Sequence, residues 1–257
     1  MRNEEATTSA AEPNDEQGWP ASRPHWPAWL GEARTLSGTL WRGVEAQHRV
    51  ATLKVVDTLI EQELLEVLLE ENKPALPPVT GQTHYLLVTP FRYASPWPSR
   101  FRPPHEPGVW YGSRELRTAC AEVGYWRWRF ATDSDAFHSE PVVSELTFFP
   151  ACVRGRVADL TALPWSAYRA AWMHPSDYAA CQALAHAVRA AGLDWIRYAS
   201  VRDPLHGACG AVLRPDVLQI RDLTRQQTWT CLVRSETVVM KPTVLDSDEQ
   251  PLEFRFP

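Results

Sequence analysis

Between Thr89 and Glu122 the chain reads TPFRYASPWPSRFRPPHEPGVWYGSRELRTACAE, and this stretch carries the side chains best suited to chemistry. Arg92, Arg100 and Arg102 are planar cations that can hold phosphate oxygens through paired hydrogen bonds. The Tyr and Trp residues among them can stack on a base. A few helical turns further on, the carboxylate of Glu122 can oppose a developing positive charge. Proline and glycine mark the first part as loop, Val109 to Tyr111 reads as a short strand, and the residues that follow read as a helix.

Two further positions join this set by type and place. Arg42 ends the strand-like run Thr39 to Gly43, and Ser200 ends the strand-like run Asp194 to Ser200, just before the turn Arg202-Asp203-Pro204. On its own, Arg42 reads more readily as a surface residue. Glu122 borders the apolar stripe Leu116, Ala119, Cys120 and Val123, where a carboxylate is partly desolvated and held still. The competing reading pairs Glu122 with Arg127 or Arg129. Ser200 is a poor hydrolase nucleophile, since no GxSxG elbow surrounds it and no base is named for it.

The elements that must position these groups follow from periodicity. Ala51 to Glu71 places Leu53, Val56, Leu59, Ile60, Leu64, Val67 and Leu68 at helical spacing, with glutamates opposite, and so reads as an amphipathic helix. His84 to Val88 reads as a buried strand leading into the loop. Ser113 is a candidate cap for the helix that carries Glu122, with Glu115 in its first turn. Val142 to Phe149 and Val153 to Leu160 read as paired strands joined through Pro150. A helix opens at Pro175-Ser176-Asp177 and closes at Gly192. Ala208 to Leu213, Val217 to Ile220 and Thr228 to Val233 read as further strands. Many short strands with two or three helices between them predict an α+β domain on a mixed or antiparallel sheet.

Length and charge bound the rest. The chain has 257 residues, enough for one sizeable core, and a formal charge of −5, which argues against a general nucleic-acid binder. Residues 1–25 have the composition of a disordered tail, and 26–257 are expected to form a single domain. With no long apolar run and no secretion-signal pattern at the start, a cytoplasmic protein without membrane contact is expected. The five cysteines, Cys120, Cys152, Cys181, Cys209 and Cys231, are widely separated among apolar neighbours, so reduced core thiols are expected and no metal site. Tyr125 to Phe130 alternates aromatics with arginines, which suits either nucleic-acid stacking or aromatic packing under arginine stems.

Taken together, Trp41-Arg42, Ser99-Arg100-Phe101, Gly108-Val109-Trp110-Tyr111, Ala119-Cys120-Ala121-Glu122 and Tyr198 to Pro204 resemble the RES domain. Tyr111 lies eleven residues after Arg100 and Glu122 eleven after Tyr111. The resemblance covers roughly residues 38 to 235. It departs from the commoner family pattern at Ser99-Arg100-Phe101-Arg102-Pro103-Pro104, which leaves open whether Arg100 or Arg102 is the pocket arginine. The family is named for its arginine, glutamate and serine, and its members are toxins of toxin–antitoxin pairs whose antitoxin is an Xre-type helix-turn-helix protein.

That resemblance implies an ADP-ribosyltransferase-like fold and an enzyme that consumes NAD, by hydrolysis, by phosphorolysis or by transfer of ADP-ribose to a target protein. By position it implies that Arg42, Arg100 or Arg102, Tyr111, Glu122 and Ser200 line an NAD pocket. Glu122 would oppose the oxocarbenium-like charge, as at glycosidase sites. Arg42 and Arg100, and more weakly Arg202, would hold the pyrophosphate. Tyr111 would bound the nicotinamide, and Ser200 would bond ribose or orient Glu122. The alternative is a non-catalytic module that binds a protein or a nucleic acid through its arginine and tryptophan surface. It predicts salt-dependent oligonucleotide binding without NAD turnover.

Overall fold

The computed structural model describes residues 25–46, 84–133, 141–222, 224–243 and 250–256, with isolated positions between 58 and 75. The expected tail lies outside the described residues except for His25. The expected helix over Ala51 to Glu71 lies largely outside them, and its described positions 60, 61, 64, 65, 67 and 68 are helical.

Five helices and nine strands are described: α1 Trp26–Gly31, β1 Thr35–Glu45, α2 Tyr85–Arg92, β2 Trp110–Ser113, α3 Leu116–Thr132, β3 Val142–Asp159, α4 Arg169–Trp172, α5 Ala179–Ala190, β4 Trp195–Ala199, β5 Ala208–Val212, β6 Leu218–Gln219, β7 Gln227–Val233, β8 Thr237–Pro242 and β9 Leu252–Arg255. The α+β class with a mainly antiparallel sheet and flanking helices is as the sequence predicts. Among the described residues the one parallel pairing joins β3 to β4.

The pairings β1 to β2, β2 to β5, β5 to β4, β4 to β3 and β3 back to β1 form a closed ring. Its interior is filled by Leu40, Trp110, Phe149, Ala151, Val153, Trp195 and Val212, so it is packed core. The first half of β3 leaves the ring and carries β7, β8 and β9 as an extension. Helix α3 packs on that extension through Leu116, Ala119, Cys120, Trp128 and Ala131. On the far side, α1 and α5 cover β4 around Trp26, Trp165 and Trp172.

Three local readings are corrected. His84 to Val88 does not form a strand. Its last four residues open α2, where the His84 ring accepts from the Leu86 amide at 3.3 Å and caps the first turn. A five-residue apolar run fits either geometry, and here the cap decides. Val142 to Leu160 is not a hairpin, because β3 runs unbroken through Pro150. Beside Pro150 only β1 pairs, since β7 ends opposite Phe148 and β6 begins opposite Cys152. A proline therefore costs little in that gap. Ser113 does not cap α3; it ends β2, fully buried, with its Oγ 3.3 Å from the Cys209 sulfur, and Glu115 takes the cap position. All five cysteines are free, and four are buried. Among the described residues no helix is long and apolar enough to cross a membrane.

Candidate active site

A cavity of about 560 Å³ opens between the ring and α3. This size lies within the range of small-molecule sites. Its lining draws on β1 (Trp41, Arg42), on the loop before β2 (Ser99, Arg100), on β2 (Tyr111), on α3 (Glu122, Trp126, Arg127), and on Tyr178, Tyr198 and Arg202. Arg42, Arg100, Tyr111, Glu122 and Arg202 are thus brought together from segments that are far apart in the chain.

Glu122 sits on the ring-facing side of α3 and accepts the Ser200 hydroxyl at 2.6 Å. Burial pushes its carboxyl above the ordinary carboxylate value, against the opposing pull of the Ser200 hydrogen bond and of Arg100 and Arg202. Neither Arg127 nor Arg129 takes it as a partner. Arg127 binds Glu45 at 2.7 Å, and Arg129 binds Asp133 one helical turn on. Ser200 is fully buried and does not line the cavity; it meets the site through Glu122. Its Oγ also accepts the amides of Arg202 at 3.1 Å and Asp203 at 2.9 Å, so the donor direction toward Glu122 is fixed.

The turn that carries Ser200 is fastened to α3 twice. Thr118, one turn before Glu122, donates to the buried Asp203 carboxylate at 2.8 Å. Asp203 also accepts the Leu205 amide and lies 3.5 Å from Arg117 Nε. Gly207 closes the turn against Thr118, and a Cβ there would stand 2.1 Å from the Thr118 hydroxyl. The sequence reading took Asp203 only as a turn residue and missed Thr118 and Gly207; the Thr118 and Glu122 spacing of four residues on one helix face was the available signal.

The arginines differ. Arg42 NH1 donates to the Tyr111 carbonyl at 2.9 Å and its guanidinium lies over Trp110, while its buried Nε has no partner. Burial lowers its pKa to about 10, so it stays charged at neutral pH. Arg100 NH1 donates to the carbonyls of Trp172 and His174 at 3.0 and 2.9 Å, and its guanidinium lies 4.7 Å from the Tyr178 ring. Those carbonyls are held by the tryptophan cluster, in which Trp172 Nε1 donates to the Trp165 carbonyl at 2.8 Å. Arg202 reaches the Pro175 carbonyl and lies 3.5 Å over the Tyr125 ring. Arg102 lies outside this cavity, because its guanidinium is spent on the carbonyls of Ser95, Trp97 and Pro103 within its own loop. Between the two candidates, geometry therefore puts Arg100 beside Glu122 and makes Arg102 a loop fastener that borders a second cavity.

Tyr111 is held rigidly. Its hydroxyl accepts the Phe101 amide at 3.0 Å and lies 2.8 Å from Ser99 Oγ, and burial raises its pKa to about 12. The aromatic and arginine run divides by helix face. Trp128 is buried with its indole N–H on the Ser235 carbonyl, whereas Trp126 and Phe130 stand exposed at the cavity mouth.

Chemically, the arrangement offers a desolvated carboxylate on a fixed hydrogen-bond donor, cations for an anionic ligand, and aromatic walls. In comparisons with known proteins, the sequence model of the RES domain matches residues 76–233, a span that includes Arg100, Tyr111, Glu122 and Ser200 and leaves Arg42 outside. No curated protein matches significantly. Among solved structures, a chain of the M. tuberculosis MbcT–MbcA toxin–antitoxin complex is similar, at 15% identity and a TM-score of 0.45, over 77% of this chain and 90% of that one.

Proposed function

The chain belongs to the RES domain family, and from that membership and the geometry of the cavity we propose that it is an NAD-cleaving toxin of a toxin–antitoxin pair, acting in the cytoplasm. The observation that carries the reading is Glu122, a half-buried carboxylate held on Ser200 in the cavity shared with Arg42, Arg100 and Tyr111.

In the proposed reaction, the bond from ribose C1′ to the nicotinamide nitrogen breaks and its electron pair leaves with nicotinamide, which becomes neutral. The ribose acquires oxocarbenium character. Glu122, ionised, accepts hydrogen bonds from ribose hydroxyls and opposes the positive charge. Ser200 is a positioning residue that fixes one carboxylate oxygen. Arg42, with its unpartnered Nε, and Arg100 hold the pyrophosphate, and the fixed Tyr111 ring bounds the nicotinamide. The ribose carbon is then taken by water, by phosphate or by a side chain of a target protein, and the proton released by that nucleophile passes to the carboxylate or to solvent. An Xre-type helix-turn-helix antitoxin would neutralise the activity.

The test is mass spectrometry after incubation with isotopically labelled NAD. Label on free ADP-ribose, on ADP-ribose phosphate or on a protein distinguishes the three acceptors. Unchanged NAD, or full NAD loss in a folded Glu122→Ala variant, overturns the reading.

A further inference from the structure

Arg100 and Arg202 stand close enough to Glu122 for both to pull its proton affinity down. Among the described residues neither forms an ion pair with it, and its carboxylate is taken by Ser200 alone. What occupies the two cations instead is one short segment, residues 172–178, which joins α4 to α5. Arg100 NH1 donates to its carbonyls at Trp172 and His174, and Arg202 NH2 to its carbonyl at Pro175. The segment is braced by its own side chains. His174 Nδ1 accepts the amides of Ser176 and Asp177 at 3.3 and 2.7 Å, and the Asp177 carboxylate accepts the Ala179 amide at 2.9 Å.

Tyr178 ends this segment, half-buried in the cavity wall, and it touches both cations. The Arg100 guanidinium lies 4.7 Å from its ring centroid, and Arg202 NH2 donates to its hydroxyl at 3.3 Å. Arg202 lies in turn over Tyr125, so rings and guanidiniums alternate in the order Tyr125, Arg202, Tyr178, Arg100. A guanidinium released from such contacts closes on a neighbouring carboxylate, whose two oxygens match its fork. Closure of that kind on Glu122 would occupy the oxygens that a ligand's hydroxyls need. We propose that Tyr178 is a positioning residue: its ring and hydroxyl hold Arg100 and Arg202 beside Glu122 without letting either pair with it, which keeps the carboxylate open to the ribose.

The catalytic consequence rests on the NAD reading, and the test separates the two. Glutamate carboxyls are isotopically labelled in the full-length chain, the Glu122 signal is assigned by its loss in Glu122→Gln, and its titration is followed by NMR without NAD. The charged and titratable groups around Glu122 are Arg100, Arg202 and Asp203, with Tyr198 and Cys209 beside it. Arg42 and Arg127 share the cavity, bonded to the Tyr111 carbonyl and to Glu45. Tyr178→Leu frees both held arginines and should weaken proton binding by Glu122 about tenfold, which moves its midpoint down in pH. Tyr178→Phe keeps the ring, loses only the hydroxyl contact, and should weaken proton binding about twofold. Melting temperatures establish that each variant is folded. A midpoint that stays or rises in the Leu variant, or an equal fall in both, overturns the proposal. Where the Leu variant does not fold, an unmoved midpoint in the Phe variant overturns it. NAD turnover is measured alongside, and its acidic limb should follow the NMR midpoint down. Absence of turnover in wild type sinks the enzyme reading, while the carboxyl titration still decides what Tyr178 does.

Discussion

Glu122 has a cost in the folded protein that its proposed role explains. Burial raises its pKa, so the folded state holds the proton more tightly than the unfolded chain does. Stability is therefore lost as pH rises from the unfolded value of 4.5 through the raised folded value. Glu122→Gln keeps an oxygen to accept the Ser200 hydroxyl and cannot ionise. Its melting temperature at neutral pH should exceed that of wild type, and the difference should vanish in acid; a lower melting temperature at neutral pH would contradict the burial account. In activity, Glu122→Ala should lower NAD turnover by about 10² to 10³, and the acidic limb of wild-type turnover should lie above the ordinary carboxylate value. Ser200→Ala removes a bond that holds that value down and leaves the amides of Arg202 and Asp203 without their acceptor. It should move the acidic limb further up in pH and cost about 1–3 kcal/mol in a denaturant titration. A limb that stays in place would separate Ser200 from Glu122.

At the scale of elements, the site depends on how α3 meets the turn from Ser200 to Gly207. Gly207→Ala would drive a methyl into Thr118 and displace the Thr118 to Asp203 bond, at a cost of about 1–3 kcal/mol. Thr118→Ala in the same chain opens the space, so the double variant should be more stable than the sum of the singles allows, and a denaturant double-mutant cycle measures that coupling. Strict additivity would remove Gly207 from this contact. This turn also marks the limit of sequence reading. Glu122 was legible because it borders the apolar stripe of a periodic helix, and Arg100 and Tyr111 because their types and spacing resemble the RES pattern. Asp203 and Gly207 were not, since their partner lies on α3, far away in the chain. The same limit hid the long β3, where a proline read as a break occupies a gap in which only β1 pairs, and strands β8 and β9, whose registers are set by β7 and by β8 in turn. His84 to Val88 had too few residues to show a period, and its helix is decided by a cap.

For the whole molecule, a net charge of −5 coexists with a cavity lined by Arg42, Arg100, Arg127 and Arg202. Concentrating cations in one hollow of an acidic protein favours a small anionic ligand over an extended polyanion. It also makes ligand binding and global stability two readings of one quantity, because the cavity exists only when β1, β2, α3 and the Ser200 turn are assembled. ADP-ribose at about a hundred times its dissociation constant should stabilise the fold by about 2.7 kcal/mol, or a rise of several degrees in melting temperature for a chain of this size. Arg42→Met tests the origin of that gain. The substitution removes a half-buried cation whose pKa desolvation has lowered to about 10 and whose Nε is unpartnered, so the free protein should melt no lower than wild type. The rise with ADP-ribose should nevertheless shrink, because one of the two cations proposed to hold the pyrophosphate is gone. A variant that melts well below wild type would make Arg42 a structural strut through its bond to the Tyr111 carbonyl, and one that keeps the full rise would remove Arg42 from the ligand.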